Sequence, residues 1–335
     1  MKPYRRSAGF SLVELMVGIV VAMVAVIVIM QVFRMTEGHR RSTTGGDDAQ
    51  TTSAIALAQL QREIRQSGLG VVNASLLACS LDLGVGRTLS NLAPVIINDA
   101  SVAVGDANTD TLLLVYGSAQ GAAEGIPIVT QAGTSFSVKA VAGTRGGDYI
   151  VAVPQVRATP CNLQLSITTA NPVGVDITLN KAAAGLDNGG LFNLGPSPRI
   201  VAYAVRNGSL TLCDMLTQNC GSADPANWVE VADGIVSLRA QYVQAAGGFD
   251  QSTPGTCLAW HGVSGLRLAM VARNSQYSSE EVTLAAPTWA GTGGAPITLA
   301  NDWKHYRYRT LEATLPLRNI VNVNPYYAAT GLSPC

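Results

Sequence analysis

Residues 10–33 form an unbroken apolar run of 24 residues whose single charge is Glu14, with Ser11 and Gln31 the other polar side chains of note. At about 1.5 Å rise per residue such a run makes a helix on the order of 36 Å long, enough to cross a hydrocarbon core of roughly 30 Å. Eleven of its residues are Val or Ile, which weaken a helix in water. In lipid the backbone must satisfy its own hydrogen bonds, so helix is the one reading left. A membrane-inserted helix at 10–33 is therefore expected.

The run does not look like a cleaved secretory signal. Those have a shorter apolar core of about 7 to 15 residues followed by a small-residue cleavage site. Here the small residues Ala8 and Gly9 precede the apolar core, after a basic leader carrying Lys2, Arg5 and Arg6. The order Gly9-Phe10-Ser11-Leu12-Val13-Glu14-Leu15 resembles the leader of type IV prepilins. The resemblance implies that a prepilin peptidase cuts after Gly9 and N-methylates Phe10. It also implies that the carboxylate of Glu14 guides docking onto a growing filament. Glu14 makes physical sense there, because an acid in a spanning helix costs roughly 2.5 to 3.5 kcal/mol. The new α-amine of Phe10 lies within one helical turn of Glu14, or reaches a neighbour's, and pairing the two would set the axial register between subunits. A carboxylate that merely reaches the interface is the plainer alternative.

The rest of the chain reads as an exported, β-rich domain. Charged residues make up 13%, Gly numbers 34, and basic and acidic residues balance at 22 each. The leader takes three of the basic ones, so the mature chain is slightly acidic and no polyanion binder by bulk charge. Six Cys, at 79, 161, 213, 220, 257 and 335, all follow the apolar run. An even count in an exported domain reads as up to three disulfides. Cys213 and Cys220 are close enough to staple one loop. The other four allow three connectivities, with Cys79–Cys161 and Cys257–Cys335 the favoured pairing. No Cys-x-x-Cys spacing occurs, and no metal or other cofactor is expected.

Past the membrane, Gly38 and Gly45-Gly46 predict a kink or melted stretch at 34–48, with Asp47 or Asp48 capping a restart. Over 49–66 the pattern is helical again. Leu57, Leu60 and Ile64 form an apolar stripe, expected to pack on the protein's own sheet, and Gly68 and Gly70 end the helix. Then the period changes to two. Strands are expected at 93–97, 110–116, 135–141, 148–153, 163–168 and 175–179. Later ones are expected at 199–205, 209–213, 228–231, 235–243, 265–272 and 306–316. Asn207-Gly208 between two of them has type I′ hairpin chemistry. Segments 117–127, 170–174, 181–198, 244–256 and 287–302 read as loops, and 117–195 leaves room for a β-rich insertion.

The expected fold is α+β: a long N-terminal helix packed on a mostly antiparallel sheet in a β-rich, disulfide-bonded domain. Its parts are a leader at 1–9, an assembly helix at 10–33, an extracytoplasmic half-helix at 34–70 and a globular domain at 71–335. Segments 60–68, 109–116, 265–273 and 308–319 resemble the frame of large minor pilins of the PilW type and their relatives, the J-type pseudopilins of type II secretion. Size and Cys content favour the former. That resemblance implies a low-copy subunit starting assembly at the pilus tip, on a chain moving from the inner membrane, with its domain in the periplasm, to the surface. Implied partners are the prepilin peptidase, other minor pilins, the major pilin and, as a further candidate, a tip adhesin. A type II pseudopilin is the alternative within the class. A tip adhesin or DNA-binding module on a pilin stalk is the alternative outside it.

No enzyme signature emerges. Gly262-Val263-Ser264-Gly265 is not a nucleophile elbow, and no motif places His261 or His305 as its base. Asp106-Ala107-Asn108-Thr109-Asp110 copies the start of a calcium loop, but Thr111 and Gly117 stand where Gly and Glu are needed. Gly143-Thr144-Arg145-Gly146-Gly147-Asp148 fits no nucleotide fingerprint and reads as a turn. Residues 303–309 alternate aromatic and basic groups as single-strand binders do. On a strand, however, Tyr306 and Tyr308 share one face while Arg307 and Arg309 share the other. Nucleic acid is not the expected partner.

Overall fold

The computed structural model describes residues 11–321 except 119, 120, 123 and 301, without the side chains of 38–49, 292 and 321. The chain divides into two units, residues 1–48 and 49–335. Helix α1 spans Leu12–Gln66, 55 residues. The expected melted stretch is absent: the helix runs through Gly38 and Gly45-Gly46, so Asp47 and Asp48 cap no second helix. Each Gly costs only about 1 kcal/mol in a helix interior, and adding a residue to an existing helix avoids a new nucleus.

Among the described residues seventeen strands follow. The first nine are β1 (Ser80–Gly84), β2 (Arg87–Leu89), β3 (Val95–Ile97), β4 (Leu112–Tyr116), β5 (Ile126–Ala132), β6 (Ser135–Val138), β7 (Tyr149–Val153), β8 (Asn162–Ile167) and β9 (Asp176–Thr178). The others are β10 (Gly190–Gly195), β11 (Arg199–Arg206), β12 (Ser209–Asp214), β13 (Val229–Asp233), β14 (Ile235–Gln244), β15 (Phe249–Asp250), β16 (Val263–Arg273) and β17 (Tyr308–Pro316). Short helices α2 (Cys257–His261) and α3 (Arg318–Val321) sit beside the last strands.

The strands make three sheets. One has eight strands in the order β2-β1-β8-β7-β10-β5-β6-β9, a second has β13-β12-β11-β4-β3, and a third has β15-β14-β16-β17. Among the described strands pairing is antiparallel except for β1 with β8. Five strands contradict the sequence reading. Strand β10 occupies the expected loop 181–198, β5 begins inside the expected loop 117–127, β15 lies within 244–256, and β1–β2 were given no strand at all. In β10 five consecutive residues, Leu191 to Gly195, are buried, so the half-buried alternation that marks a strand is missing.

The main core joins the end of α1 to the five- and four-stranded sheets. Leu57, Leu60 and Ile64 are buried with Leu112, Leu114, Ile200, Leu238, Leu266 and Trp260. The apolar stripe of α1 thus packs on the protein's own strands. Tyr242 crosses between sheets: its hydroxyl accepts the Ile97 N–H at 2.9 Å and donates to the Val95 carbonyl at 3.2 Å. Its ring meets Trp260 edge-on at 5.3 Å. A second, smaller core of Ile126, Ile128, Phe136, Val138, Ile150, Ile177, Leu179 and Leu191 lies within residues 117–195. That segment has its own apolar centre, while β1 and β2 extend its sheet from outside.

Between β11 and β12, Asn207 (φ 52°) and Gly208 (φ 75°) both take positive φ, and Arg206 pairs with Ser209. This is the geometry of the expected I′ hairpin.

Candidate functional site

The strongest candidate is the exposed length of α1. Residues 12–37 are all solvent-facing, and Leu12–Glu37 is apolar and long enough to cross a membrane. The Ser11 carbonyl accepts the Leu15 N–H at 3.1 Å, and Glu14 is the acidic residue of the first turn. A carboxylate there is favoured by the positive end of the helix dipole. Val, Ile, Leu and Met cover the rest of the surface, with no further charge before Arg34. Such a surface offers lipid or a like helix a dry lateral contact and offers chemistry nothing except Glu14. Gly9 and Phe10 lie outside the described residues.

The other carboxylates and histidines singled out above are placed for structure. Asp106 accepts the Asn207 and Gly208 N–H groups, each at 2.9 Å, and so braces the hairpin turn. Asp110 accepts from Ala240 N–H at 2.9 Å, from Gln251 Nε2 at 2.7 Å and from Asn98 Nδ2 at 3.0 Å. Both acids of the calcium-like stretch are thereby occupied. No cluster of three or more His, Cys, Asp or Glu is set to hold a metal among the described residues. The Ser264 hydroxyl donates to the Val243 carbonyl at 3.1 Å. His261 is buried in α2, and burial lowers its pKa from the ordinary 6.5.

The aromatic-basic stretch is not one strand, which corrects the expected span of 306–316. Residues Trp303–His305 form a 3-10 turn, and β17 starts at Tyr308. Backbone pairing with Asn274, Ser278, Val282 and Thr283 takes up the chain just before β17. Tyr306 and Tyr308 are half-buried while Arg307 and Arg309 are exposed. Tyr277 stacks on His305 at 5.0 Å and meets Tyr306 at 5.6 Å, so the rings serve a local cluster.

Where α1 meets β11 and β4, Tyr203 is fully buried. Burial above all, with the negative charge of Glu63 next, raises the Tyr203 phenol far above its ordinary value, and Tyr116 is raised by the same two causes. Arg199, 3.7 Å from Asp214, offsets part of this. The cluster fixes the helix end against the sheet. Sequence reasoning missed it, since Glu63 sits between Arg62 and Arg65 like any solvated helix charge.

Cys79 is bonded to Cys161 and Cys213 to Cys220. Cys257 is also disulfide-bonded, and Cys335 lies outside the described residues.

Residues 4–30 match the prokaryotic N-terminal methylation motif. That motif, continuous with the exposed apolar helix, supports a type IV pilin-like protein in a pilin or pseudopilin role. It implies membrane anchoring, processing by a prepilin peptidase and assembly with other pilins. Among solved structures the chain is similar to the type IV-like pilin TTHA1219 from Thermus thermophilus. The likeness covers 82% of this chain and 96% of that one at 12% identity, with a TM-score of 0.35, too slight to carry an argument. No curated protein matches the sequence.

Proposed function

We propose that this protein is a minor pilin of the PilW type: a low-copy structural subunit that helps to start a type IV pilus and remains near its tip. The observation that carries the reading is the methylation motif at 4–30 running into an exposed apolar helix whose one charge is Glu14. The size of the domain after that helix and its cysteines favour this role over a smaller pseudopilin. Cleavage after Gly9 exposes the amine of Phe10, which is then methylated. With an α-amine pKa of about 7.7 to 8.0 it is largely cationic at neutral pH. It pairs with Glu14 of its own or a neighbouring helix, neutralising both charges within the bundle. The domain sits in the periplasm before assembly and at the surface afterwards, in contact with the other minor pilins, the major pilin and a tip adhesin. The remaining disulfide, Cys257–Cys335, fastens the chain's last residue to α2.

A deletion strain tests the assignment, with sheared surface pili and secreted proteins assayed from one culture. Loss of pili with normal secretion supports a minor pilin. Normal pili with stalled secretion makes the chain a pseudopilin instead, and no change in either leaves a display stalk. Glu14→Leu tests the pairing. It removes an insertion cost of roughly 2.5 to 3.5 kcal/mol, so membrane levels hold while surface pili are lost. Undiminished piliation would reject the role given to Glu14.

A further inference from the structure

A cavity of about 470 Å³ opens where the β11–β12 turn meets the ends of β14, β16 and β17. Asn108 and Asn207 form one wall, Arg273 and Tyr308 another, and Val236 and Leu299 supply apolar surface. Its volume lies in the range of about 300 to 1,000 Å³ that holds small-molecule ligands.

Arg273 gives this cavity its charge. The other partly buried arginines each have at least one acceptor or carboxylate partner, although the Nε of Arg87 and of Arg206 is also buried without one. Arg157 donates to the Ala74 and Leu77 carbonyls at 2.6 and 2.8 Å, and Arg206 to the Ala103 carbonyl at 2.6 Å. Arg239 lies 3.5 Å from Asp110, and Arg267 3.8 Å from Glu312. The guanidinium of Arg273 has neither a hydrogen-bond acceptor nor an ion-pair partner among the described residues, and its Nε is buried without one. The Tyr306 ring, 4.5 Å from its Cζ, holds the group in place. Nη2 lies 3.8 Å from where a Cβ on Gly208 would stand, which puts it at the turn that borders the cavity. The carboxylate in that wall, Asp106, already holds the two turn N–H groups. A fixed planar cation with no acceptor among the described residues therefore borders a concave space.

A guanidinium fork matches a carboxylate through two parallel N–H···O bonds. The amides of Asn108 and Asn207 and the phenol of Tyr308 suit hydroxyl groups, and Val236 and Leu299 suit the carbon face of a ring. A nucleic-acid backbone needs several cations along its track, whereas this cavity sets one cation beside Asp106. We propose that the cavity binds an acidic monosaccharide of the uronic acid type, with its carboxylate on Arg273. The inference stands whether or not the chain enters a pilus.

The test is calorimetric titration of the detergent-solubilised full chain with glucuronate, glucose and glutarate. Glucuronate is expected to bind at least about tenfold more tightly than either of the others, because it alone offers both the anion and the ring. Arg273→Gln should weaken glucuronate at least about tenfold and leave glucose unchanged. Equal binding of glucose would remove the role of Arg273, and equal binding of glutarate would remove the sugar. No binding of glucuronate at millimolar concentration would overturn the proposal outright. The three-ligand comparison on the unsubstituted protein decides the matter even if the variant fails to fold.

Discussion

Asp110 is 3% exposed, yet it receives four donors from three parts of the chain. The backbone of Ala240 in β14, the side chains of Asn98 and Gln251, and Arg239 at 3.5 Å all converge on it. One carboxylate just before β4 thus ties the five-stranded sheet to the four-stranded one. Asp110→Ala should cost about 3 to 5 kcal/mol, because it strands buried donors and the positive Arg239 together. A lowered urea midpoint with an unchanged slope would show it, and a loss under about 1 kcal/mol would mean water replaces the carboxylate. His261 offers a pH test. Its folded pKa lies below 6.5 through burial, so the unfolded chain takes up the proton first. Stability is therefore intact above pH 6.5 and falls as the pH drops from there through the folded value. His261→Gln should flatten that acid-side slope in urea titrations run between pH 7.5 and 5, and an unaltered slope would assign it to other groups.

At the scale of elements, α1 carries one buried stripe and one open face within the same few turns. Leu60 is fully buried, whereas Ile55 is 63% exposed. Leu60→Ala should cost about 2 to 5 kcal/mol through lost contacts and a residual cavity. Ile55→Ala should stay within about 0.5 kcal/mol, as surface substitutions do. Equal effects in chemical denaturation would show that the helix end is not docked as described. The stripe was legible because period 3.6 is written in three residues, and the Asn207-Gly208 hairpin because its two positive φ values demand those residue types. The antiparallel strands with clear alternation were legible for the same kind of reason. Strand β10 was not: buried among neighbours and bounded by Gly190 and Gly195, it has the local chemistry of a loop. The break expected at Gly45-Gly46 failed differently, since helix propensity is a small local term and an unbroken helix overrides it. The cavity at Arg273 could not have been read at all. Asp106, Asn207, Arg273 and Tyr308 are brought together by strand order, and no spacing along the chain encodes that.

At the scale of the whole domain, the two described disulfides close loops of very different size. Cys79 and Cys161 are 82 residues apart, and Cys213 and Cys220 are 7 apart. The first stands directly before the β1–β8 pairing, where Ser80 faces Asn162 and its N–H donates to the Cys161 carbonyl at 2.9 Å. This is the one parallel pair among the described residues, and such a pair needs a long connection to bring its strands together. The intervening chain includes β3 and β4 of the five-stranded sheet as well as β5 to β7 of the eight-stranded one, so the bond closes a loop that visits both. If the bonds act by restricting the unfolded chain, loop length sets their worth: about 4 to 5 kcal/mol for Cys79–Cys161 and about 2 to 3 kcal/mol for Cys213–Cys220. The double variants Cys79→Ala/Cys161→Ala and Cys213→Ala/Cys220→Ala should therefore rank in that order in urea unfolding. Equal or reversed losses would mean that strain or packing at the bonds outweighs loop closure. In the expected order, the bond beside the β1–β8 pair contributes more to the stability of the domain than the one that staples Cys213 to Cys220.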